Sequence, residues 1–186
     1  SSIEDVQTFN QSLGSSDGRY FNFKEAANKA EAWQILSPIR EKIFGVRAIN
    51  RKIHKLFRED KVKYARDRYG KIPSPIGLEE IVYGDKVINL FNSRRNPKDV
   101  WPDTNALNYV ANGEIGVVIG QFKTAKMTFK GKPKNTEIEF TSQKGFKYSF
   151  KSWEFAEENN NPLELAYALT VHKAQGSEFG KVFLVI

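Results

Sequence analysis

The hydrophobic pattern changes along the chain from helix-like to strand-like and back. Residues 23–33 are rich in Ala, Glu and Lys, which favour helices. Gln34–Ser37 is typical of a short buried strand that stops before Pro38. The next segment predicts a long helix, because apolar residues recur at spacings of three and four, at Ile43, Val46, Ile49, Ile53, Leu56 and Phe57. Basic residues lie off this stripe and predict an exposed basic face, formed by Arg47, Arg51, Lys52, Lys55 and Arg58.

Strand-like alternation begins after the Pro- and Gly-rich segment 71–77. Five short runs rich in β-branched and aromatic residues follow, several of them separated by turn-forming residues, at Asp85–Phe91, Glu114–Ile119, Lys126–Lys130, Glu137–Thr141 and Lys147–Phe155. Such closely spaced short strands are typical of a small antiparallel barrel. The Pro-containing, basic stretch 92–108 is expected to be a long loop of that barrel.

The α/β pattern returns near the end of the sequence. Leu163–Leu169 predicts a buried strand, Thr170 is a suitable cap for a short helix that ends at Gly176, and Lys181–Ile186 predicts a buried strand of the parallel type. Because the chain stops inside this last strand, we expect a continuation. The polar residues 1–20 predict a flexible tail or loop.

Charge narrows the range of partners. The chain carries a formal charge of +7, and its basic residues are concentrated between Arg40 and Lys71, where twelve Lys or Arg and four acidic residues give a net charge of +8. Aromatic residues interleave with them, as expected near a nucleic-acid backbone. The alternative is a solvated helix face whose Lys and Arg stems cover apolar neighbours.

Two classes of protein are disfavoured by the composition. There are no cysteines, which excludes disulfides and thiolate metal sites and fits a cytoplasmic protein. His54 and His172 are the only histidines, so we predict no metal site. The sequence also lacks an apolar run long enough to span a membrane, and the residues at its start do not form a signal peptide.

The segment Leu165–Phe179, LAYALTVHKAQGSEF, contains the most specific motif. It resembles motif V of superfamily 1 helicases, in the form found in the RecD-like branch. The predicted local structure agrees, because a strand would lead into a capped turn whose free N–H groups can hold a phosphate. The alternative is that these residues only cap and close a βαβ turn.

The resemblance implies two groups of site residues. Thr170, His172 and Lys173 would lie along the backbone of a single strand, together with Arg47, Arg51 and Lys55 of the basic helix. Gln175, Gly176 and Glu178 would face the nucleotide, with Glu178 at the ribose or γ-phosphate side. Arg40 would reach a phosphate of the nucleotide, or else pair with Glu41 or the helix as an ordinary surface arginine.

Two further segments resemble the same family. Gln34–Arg40 with Phe44–Asn50 is similar to the motif IV region, in which Asn50 is expected to bond the sheet rather than a ligand. Tyr83–Leu90 with Ala111–Gly120 is similar to the SH3-like barrel that RecD-like helicases insert into their second motor domain, although Asn112-Gly113 is also simply a good turn sequence. The sequence contains no phosphate loop and no Asp-Glu magnesium pair.

The sequence therefore predicts an α/β fold: a RecA-like, P-loop NTPase-like second motor lobe with a parallel sheet, interrupted by a five-stranded SH3-like barrel. The predicted boundaries are 1–20 for the flexible segment, 21–80 and 159–186 for the lobe, and 81–158 for the barrel. We expect a truncated piece of an ATP-dependent DNA helicase of DNA repair or recombination, ending before motif VI.

The expected partners are single-stranded DNA and an N-terminal RecA-like lobe of the same chain that supplies the phosphate loop and the Mg²⁺ ligands for ATP. The fragment alone would bind nucleic acid without hydrolysing ATP. Two alternatives stay open, a non-catalytic nucleic-acid-binding module and a protein-docking barrel. DNA versus RNA preference and polarity are also open.

Overall fold

The computed structural model describes residues 3–67, 74–103, 105–122, 135–156 and 160–185. The protein is a mixed α/β structure with a parallel sheet and a large antiparallel sheet. Its helices are α1 (Val6–Ser12), α2 (Glu25–Ala30) and α3 (Val46–Asp67). Its strands are β1 (Gln34–Ser37), β2 (Lys86–Asn89), β3 (Ser93–Arg94), β4 (Val100–Trp101), β5 (Tyr109–Val110), β6 (Ile115–Phe122), β7 (Asn135–Phe140), β8 (Lys147–Lys151), β9 (Leu163–Leu165), β10 (Ala168–Thr170) and β11 (Val182–Leu184).

The parallel sheet has three strands in the order β10-β1-β11. Strand β1 has the predicted bounds, Gln34–Ser37. Strand β11 is parallel to β1 as expected, but its side chains are not buried: Val182, Phe183 and Leu184 are each more than half exposed. Edge position alone does not explain this exposure, because β10, the other edge strand, buries Ala168 and Leu169.

The antiparallel sheet has six strands in the order β4-β8-β7-β6-β2-β9. Four of the five predicted runs form strands of this sheet, and the fifth, Lys126–Lys130, lies outside the described residues. The run predicted over Lys147–Phe155 is a strand only to Lys151, because Ser152–Phe155 form a 3₁₀ helix. The stretch 92–108, expected to be a loop, contains β3, β4 and a 3₁₀ helix, Pro97–Asp99.

The run Leu163–Leu169, predicted as one strand, is two strands in different sheets. Strand β9 pairs antiparallel with β2, whereas β10 pairs parallel with β1. The chain crosses between the sheets at Ala166 and Tyr167, which are fully buried. The antiparallel sheet therefore extends beyond the boundary predicted at residue 158.

Asn50 fixes this crossover from helix α3. Its Nδ2 donates to the carbonyl oxygens of Leu165 and Ala168, at 2.8 and 3.1 Å, and its Oδ1 accepts from Ala168 N at 2.7 Å. The expectation that Asn50 bonds the sheet is confirmed. A buried amide that satisfies three backbone groups holds α3 against both strands.

Helix α3 confirms the predicted helix, but not its predicted faces. Ile43 lies before the helix and is 93% exposed, and Leu56 is exposed as well. The buried face instead follows a spacing of about four residues, at Val46, Asn50, His54, Arg58, Val62 and Ala65. The prediction that Arg58 belongs to the exposed basic face is wrong.

Arg58 is fully buried because a carboxylate and an aromatic pocket receive it. Its Nε lies 3.2 Å from Asp85 Oδ1, and its Nη1 donates to Asn10 Oδ1 at 2.7 Å. Asp85 also accepts from Tyr167 Oη at 2.8 Å. Burial raises the pKa of Tyr167, and Asp85 raises it further, so the phenol remains a proton donor. Removing one partner of such a buried pair leaves an uncompensated charge.

The N-terminal segment, predicted to be a flexible tail or loop, contains helix α1. Its Phe9 and Leu13 are buried in the main hydrophobic core together with residues of both sheets. Phe9 stacks on Phe57 of α3 with ring centroids 4.2 Å apart. The predicted helix over 23–33 is shorter than expected, since α2 ends at Ala30. Within the described ranges, no helix combines the length and apolar character needed to cross a membrane.

We expect Arg58→Met to reduce the free energy of unfolding by about 3–5 kcal/mol, because it leaves the Asp85 carboxylate buried without its cation. Lys55→Met is the control, since Lys55 is exposed on the same helix and should change stability by less than about 0.5 kcal/mol. Urea denaturation measures both. Equal stability of the two variants would contradict the role given to Arg58.

Lys86 is a second buried basic residue. Its Nζ donates to the carbonyl oxygen of Trp33 at 2.9 Å and to Gln34 Oε1 at 2.8 Å. Burial lowers the pKa of Lys86 from its ordinary value of 10.5 to about 7, an effect that Glu31 opposes. Between these two values the unfolded chain binds more protons than the folded chain, so this residue makes stability rise with pH.

We therefore expect the free energy of unfolding of the wild-type protein to rise, relative to that of Lys86→Met, between about pH 7 and pH 10. Urea denaturation of both proteins near these two pH values measures the difference. A constant difference across this range would show that the Lys86 pKa is not lowered.

Candidate nucleic-acid interface

Strands β1 and β10 end side by side, because Ser37 is paired with Thr170 in parallel register. The segments that follow them therefore leave the same edge of the sheet. In open α/β sheets this carboxyl edge is where ligands bind. Residues 38–45 and 171–176 lie there, and they include much of the sequence predicted to contact ligand.

The segment after β10 is a hydrogen-bonded turn rather than the predicted helix. Thr170 Oγ1 accepts from Lys173 N at 3.2 Å, and Thr170 O accepts from Ala174 N at 3.1 Å. Gly176 has a φ of +83°, which glycine adopts without strain. The capping role of Thr170 and the sharp turn at Gly176 are confirmed, whereas continuous helical structure between them is not.

Four cations from three segments line one cleft of about 470 Å³. We call it the basic cleft; its charged residues are Arg40, Arg47, Arg51, Lys173, Glu79 and Glu164. Arg40 follows β1, Arg47 and Arg51 lie on α3, and Lys173 lies in the turn after β10. The antiparallel sheet and its loops contribute Phe91 and Asn112 to the same cleft.

Glu164 pairs with three of the four cations of the basic cleft. Its Oε1 lies 2.8 Å from Arg40 Nη2 and 3.7 Å from Arg47 Nη2, and its Oε2 lies 3.8 Å from Lys173 Nζ. Arg40 also pairs with Glu41, at 3.4 Å. One carboxylate therefore lies within ion-pair distance of three cations.

Burial shifts the protonation of two cleft residues. Burial raises the pKa of Glu79, whose Oε2 accepts from Leu165 N at 2.6 Å, and the neighbouring Glu164 raises it further. Burial lowers the pKa of Lys173; Glu164 opposes this change, whereas Arg40 and Arg47 add to it. Burial thus disfavours the charged form of both residues.

A second cleft of about 530 Å³ lies beside the first, with Lys173 and Asn112 in the wall of both. We call it the turn cleft; it is lined by His172, Gln175, Gly176 and Glu178 together with Glu31 and Glu114. The residues predicted to face nucleotide thus share a cleft with His172, which was predicted to face the nucleic acid.

The structure groups the predicted site residues differently from the sequence. Arg40, assigned to the nucleotide group, lies with Arg47, Arg51 and Lys173 rather than with Gln175 and Glu178. Lys55 lies one helical turn after Arg51 on α3. It lines a separate depression, and Arg51 lies in the wall of both this depression and the basic cleft. Thr170 lies at the start of the turn, where its hydroxyl oxygen accepts a hydrogen bond from Lys173 N.

Among the cleft residues that sequence reasoning missed are Glu79, Phe91, Asn112 and Glu164. Glu164 could have been recognised from the sequence, because it is the only charged residue in the apolar run Leu163–Leu169. The other three lie in loops or at a strand end, and their position in the cleft depends on tertiary packing. Within the described ranges, no group of three or more His, Asp or Glu side chains is arranged to hold a metal ion.

A search of known families finds no family model that matches the chain, and a search of curated proteins finds no significant match. The helicase resemblance therefore rests on the residues of this sequence alone.

We expect Glu164→Gln to lower the pKa of Lys173 further, because the carboxylate that favours the ammonium form is lost. An NMR titration of the lysine side chains in the labelled protein measures this pKa. Glu41→Gln is the matched control, since Glu41 pairs with Arg40 and Arg47. An unchanged Lys173 pKa in Glu164→Gln would contradict the described ion pair.

Proposed function

We propose that this chain is the second motor lobe of a superfamily 1 DNA helicase of the RecD-like branch, and that single-stranded DNA binds in the basic cleft. The observation that carries the proposal is the joining of Arg40, Arg47, Arg51 and Lys173 at the carboxyl edge of the parallel sheet. Lys173 belongs to the segment that resembles motif V. A phosphate backbone is the ligand that such a set of cations suits best.

The arrangement of the sheets supports this proposal. The chain forms β1 and α3, then most of the antiparallel sheet, and returns to the parallel sheet at β10. This order is the one expected for a RecA-like lobe interrupted by an SH3-like barrel. The inserted sheet also reaches the basic cleft through Phe91 and Asn112, so a bound strand would contact both parts.

The nucleotide would be shared with another lobe. In this proposal Gln175, Gly176 and Glu178 contribute one side of an ATP site, and the phosphate loop, the Mg²⁺ ligands and the arginine finger belong to other parts of a longer chain. Among the described residues, no cluster of His, Asp or Glu side chains is arranged to hold Mg²⁺. We expect this chain alone to bind nucleic acid without hydrolysing ATP.

A non-catalytic nucleic-acid-binding module is the second candidate. It is favoured by the fact that the basic cleft is assembled entirely from this chain. The two candidates differ in the role of Glu178. In the intact parent helicase, Glu178→Ala should uncouple ATP hydrolysis from DNA binding, whereas a module would retain its full function without this carboxylate.

We expect the chain to bind labelled single-stranded DNA with an affinity that falls steeply as salt rises. Lys173→Ala and Arg51→Ala should weaken binding at every sequence tested and reduce the salt slope by about 1 each, because each removes one phosphate contact. Fluorescence anisotropy across a salt series measures both quantities.

Lys52→Ala is the matched control, since Lys52 follows Arg51 on the same helix and is exposed outside the basic cleft. It should leave the affinity and the salt slope close to those of the wild type. Equal losses in all three variants would mean that the basic residues act through their overall charge without a defined site. Salt-insensitive binding, or none, would refute the proposed function.

A further inference from the structure

Glu164 lies on β9, an edge strand of the antiparallel sheet. It is paired with Ile88 of β2, and its neighbours Leu163 and Leu165 are buried in the hydrophobic core. Successive side chains of a strand point to opposite faces, so Glu164 points away from the face that these two leucines occupy. Its carboxylate reaches the basic cleft, whose wall it forms together with the four cations.

The backbone of β9 is fixed where it carries Glu164. Leu165, the next residue, donates from its N to Glu79 Oε2 at 2.6 Å, and its O accepts from Asn50 Nδ2 at 2.8 Å. The pairing with β2 also extends over all three residues of the strand. The carboxylate can therefore leave the cations by rotation of its own side chain, of which 22% is exposed, while the strand stays in place.

The carboxylate of Glu164 occupies the donors that a phosphate would use. Arg40 Nη2 lies 2.8 Å and Arg47 Nη2 lies 3.7 Å from its Oε1, and Lys173 Nζ lies 3.8 Å from its Oε2. A phosphate oxygen bound to the same nitrogens would lie close to the carboxylate, and like charges at such short distances disfavour each other. A phosphate and the Glu164 carboxylate therefore compete for these three cations.

The other carboxylates near these cations are placed differently. Glu41 pairs with Arg40 and Arg47 at 3.4 and 3.2 Å, but 60% of its side chain is exposed. Ion pairs between exposed side chains are weak, because water screens them. Glu79 also lines the basic cleft, but its Oε2 accepts from the backbone of β9. Glu164 is thus the carboxylate that is best placed to oppose the binding of an anion.

We propose that Glu164 is an internal competitor of the DNA strand: it pairs with Arg40, Arg47 and Lys173 in the free protein, and a phosphate of the bound strand displaces it. Weaker binding usually means faster release, and a lobe that moves along a strand must release each phosphate in turn. This inference rests on the proposed nucleic-acid binding, and it adds a residue that limits the affinity of the same site.

Glu164→Gln tests this role, because it removes the negative charge and keeps the length of the side chain. We expect this variant to bind labelled single-stranded DNA about 3- to 30-fold more tightly than the wild type at the same salt concentration, since two or three partly exposed ion pairs no longer oppose binding. Fluorescence anisotropy measures the affinity. A substitution that only damaged the cleft would lower the affinity instead.

Asp60→Asn is the matched control for charge. Asp60 is exposed on α3 and lies outside the basic cleft, about 14 Å along the helix axis from Arg51. The control changes the net charge by the same amount as Glu164→Gln. At physiological salt it should change the affinity by less than about twofold, because exposed charges separated by more than about 8 Å are largely screened.

A double-mutant cycle tests the pairing itself. Glu164 pairs with Lys173, whereas none of its ion pairs within the described part of the chain involves Arg51. Glu164→Gln should therefore increase the affinity less in a Lys173→Ala background than in the wild type, and by the full factor in an Arg51→Ala background. A merely structural role of Glu164 would not distinguish these two backgrounds.

The outcomes separate this inference from the proposed function. Salt-sensitive binding that Glu164→Gln leaves unchanged or weakens would overturn the role of Glu164 and leave the basic cleft as the phosphate site. A gain no larger than that of Asp60→Asn, or an equal gain in the Lys173→Ala and Arg51→Ala backgrounds, would also overturn it, since Glu164 would then act only through net charge. Absence of salt-sensitive binding by the wild-type protein would refute the proposed function, and this inference with it.

Discussion

The chain passes from the antiparallel to the parallel sheet through two buried residues, Ala166 and Tyr167, and the fold depends on how their backbone groups are satisfied. A buried carbonyl without a partner costs about 1–3 kcal/mol. Gln34 Nε2 donates to the carbonyls of both residues, at 3.1 and 3.0 Å, and Asn50 bonds the residues on either side. Because Gln34 belongs to β1 and Asn50 to α3, satisfying this crossover also fixes the helix relative to both sheets.

The same crossover determines the composition of the basic cleft. Glu164 lies two residues before the crossover at Ala166, and Lys173 lies three residues after the end of β10. The carboxylate and the amine of the cleft therefore come from the two ends of the segment that contains the crossover. Four cations close together would repel one another, and Glu164 reduces that repulsion by pairing with three of them. A phosphate that enters the cleft must compete with this carboxylate. In the proposed function, this competition would favour a polyanion that offers several phosphates at once over weak anions.

The sequence predicted well those elements that the local residue pattern determines. It predicted poorly those features that depend on contacts with residues distant in the sequence. The presence of helix α3, the bounds of β1 and the turn at Gly176 follow from periodicity, from Pro38 and from glycine chemistry. The buried face of α3 could not be predicted, because a pattern of hydrophobicity places Arg58 outside and only Asp85, distant in sequence, makes its burial favourable. In the candidate site, the cations were found by their charge and motif, whereas Glu79 and Phe91 were missed because only tertiary packing brings them to the cleft.

The position of the antiparallel sheet has a consequence for a motor. Its residues share one hydrophobic core with those of the parallel sheet, and the bonds of Asn50 and Gln34 join the two at the crossover. A strand bound between Lys173 on one sheet and Phe91 on the other would therefore contact surfaces that are fixed relative to each other. In the proposed helicase, a movement of this lobe would therefore move the bound strand as well, because no flexible hinge would separate the two surfaces that contact it. The inserted sheet would then act as part of the lobe that moves the DNA.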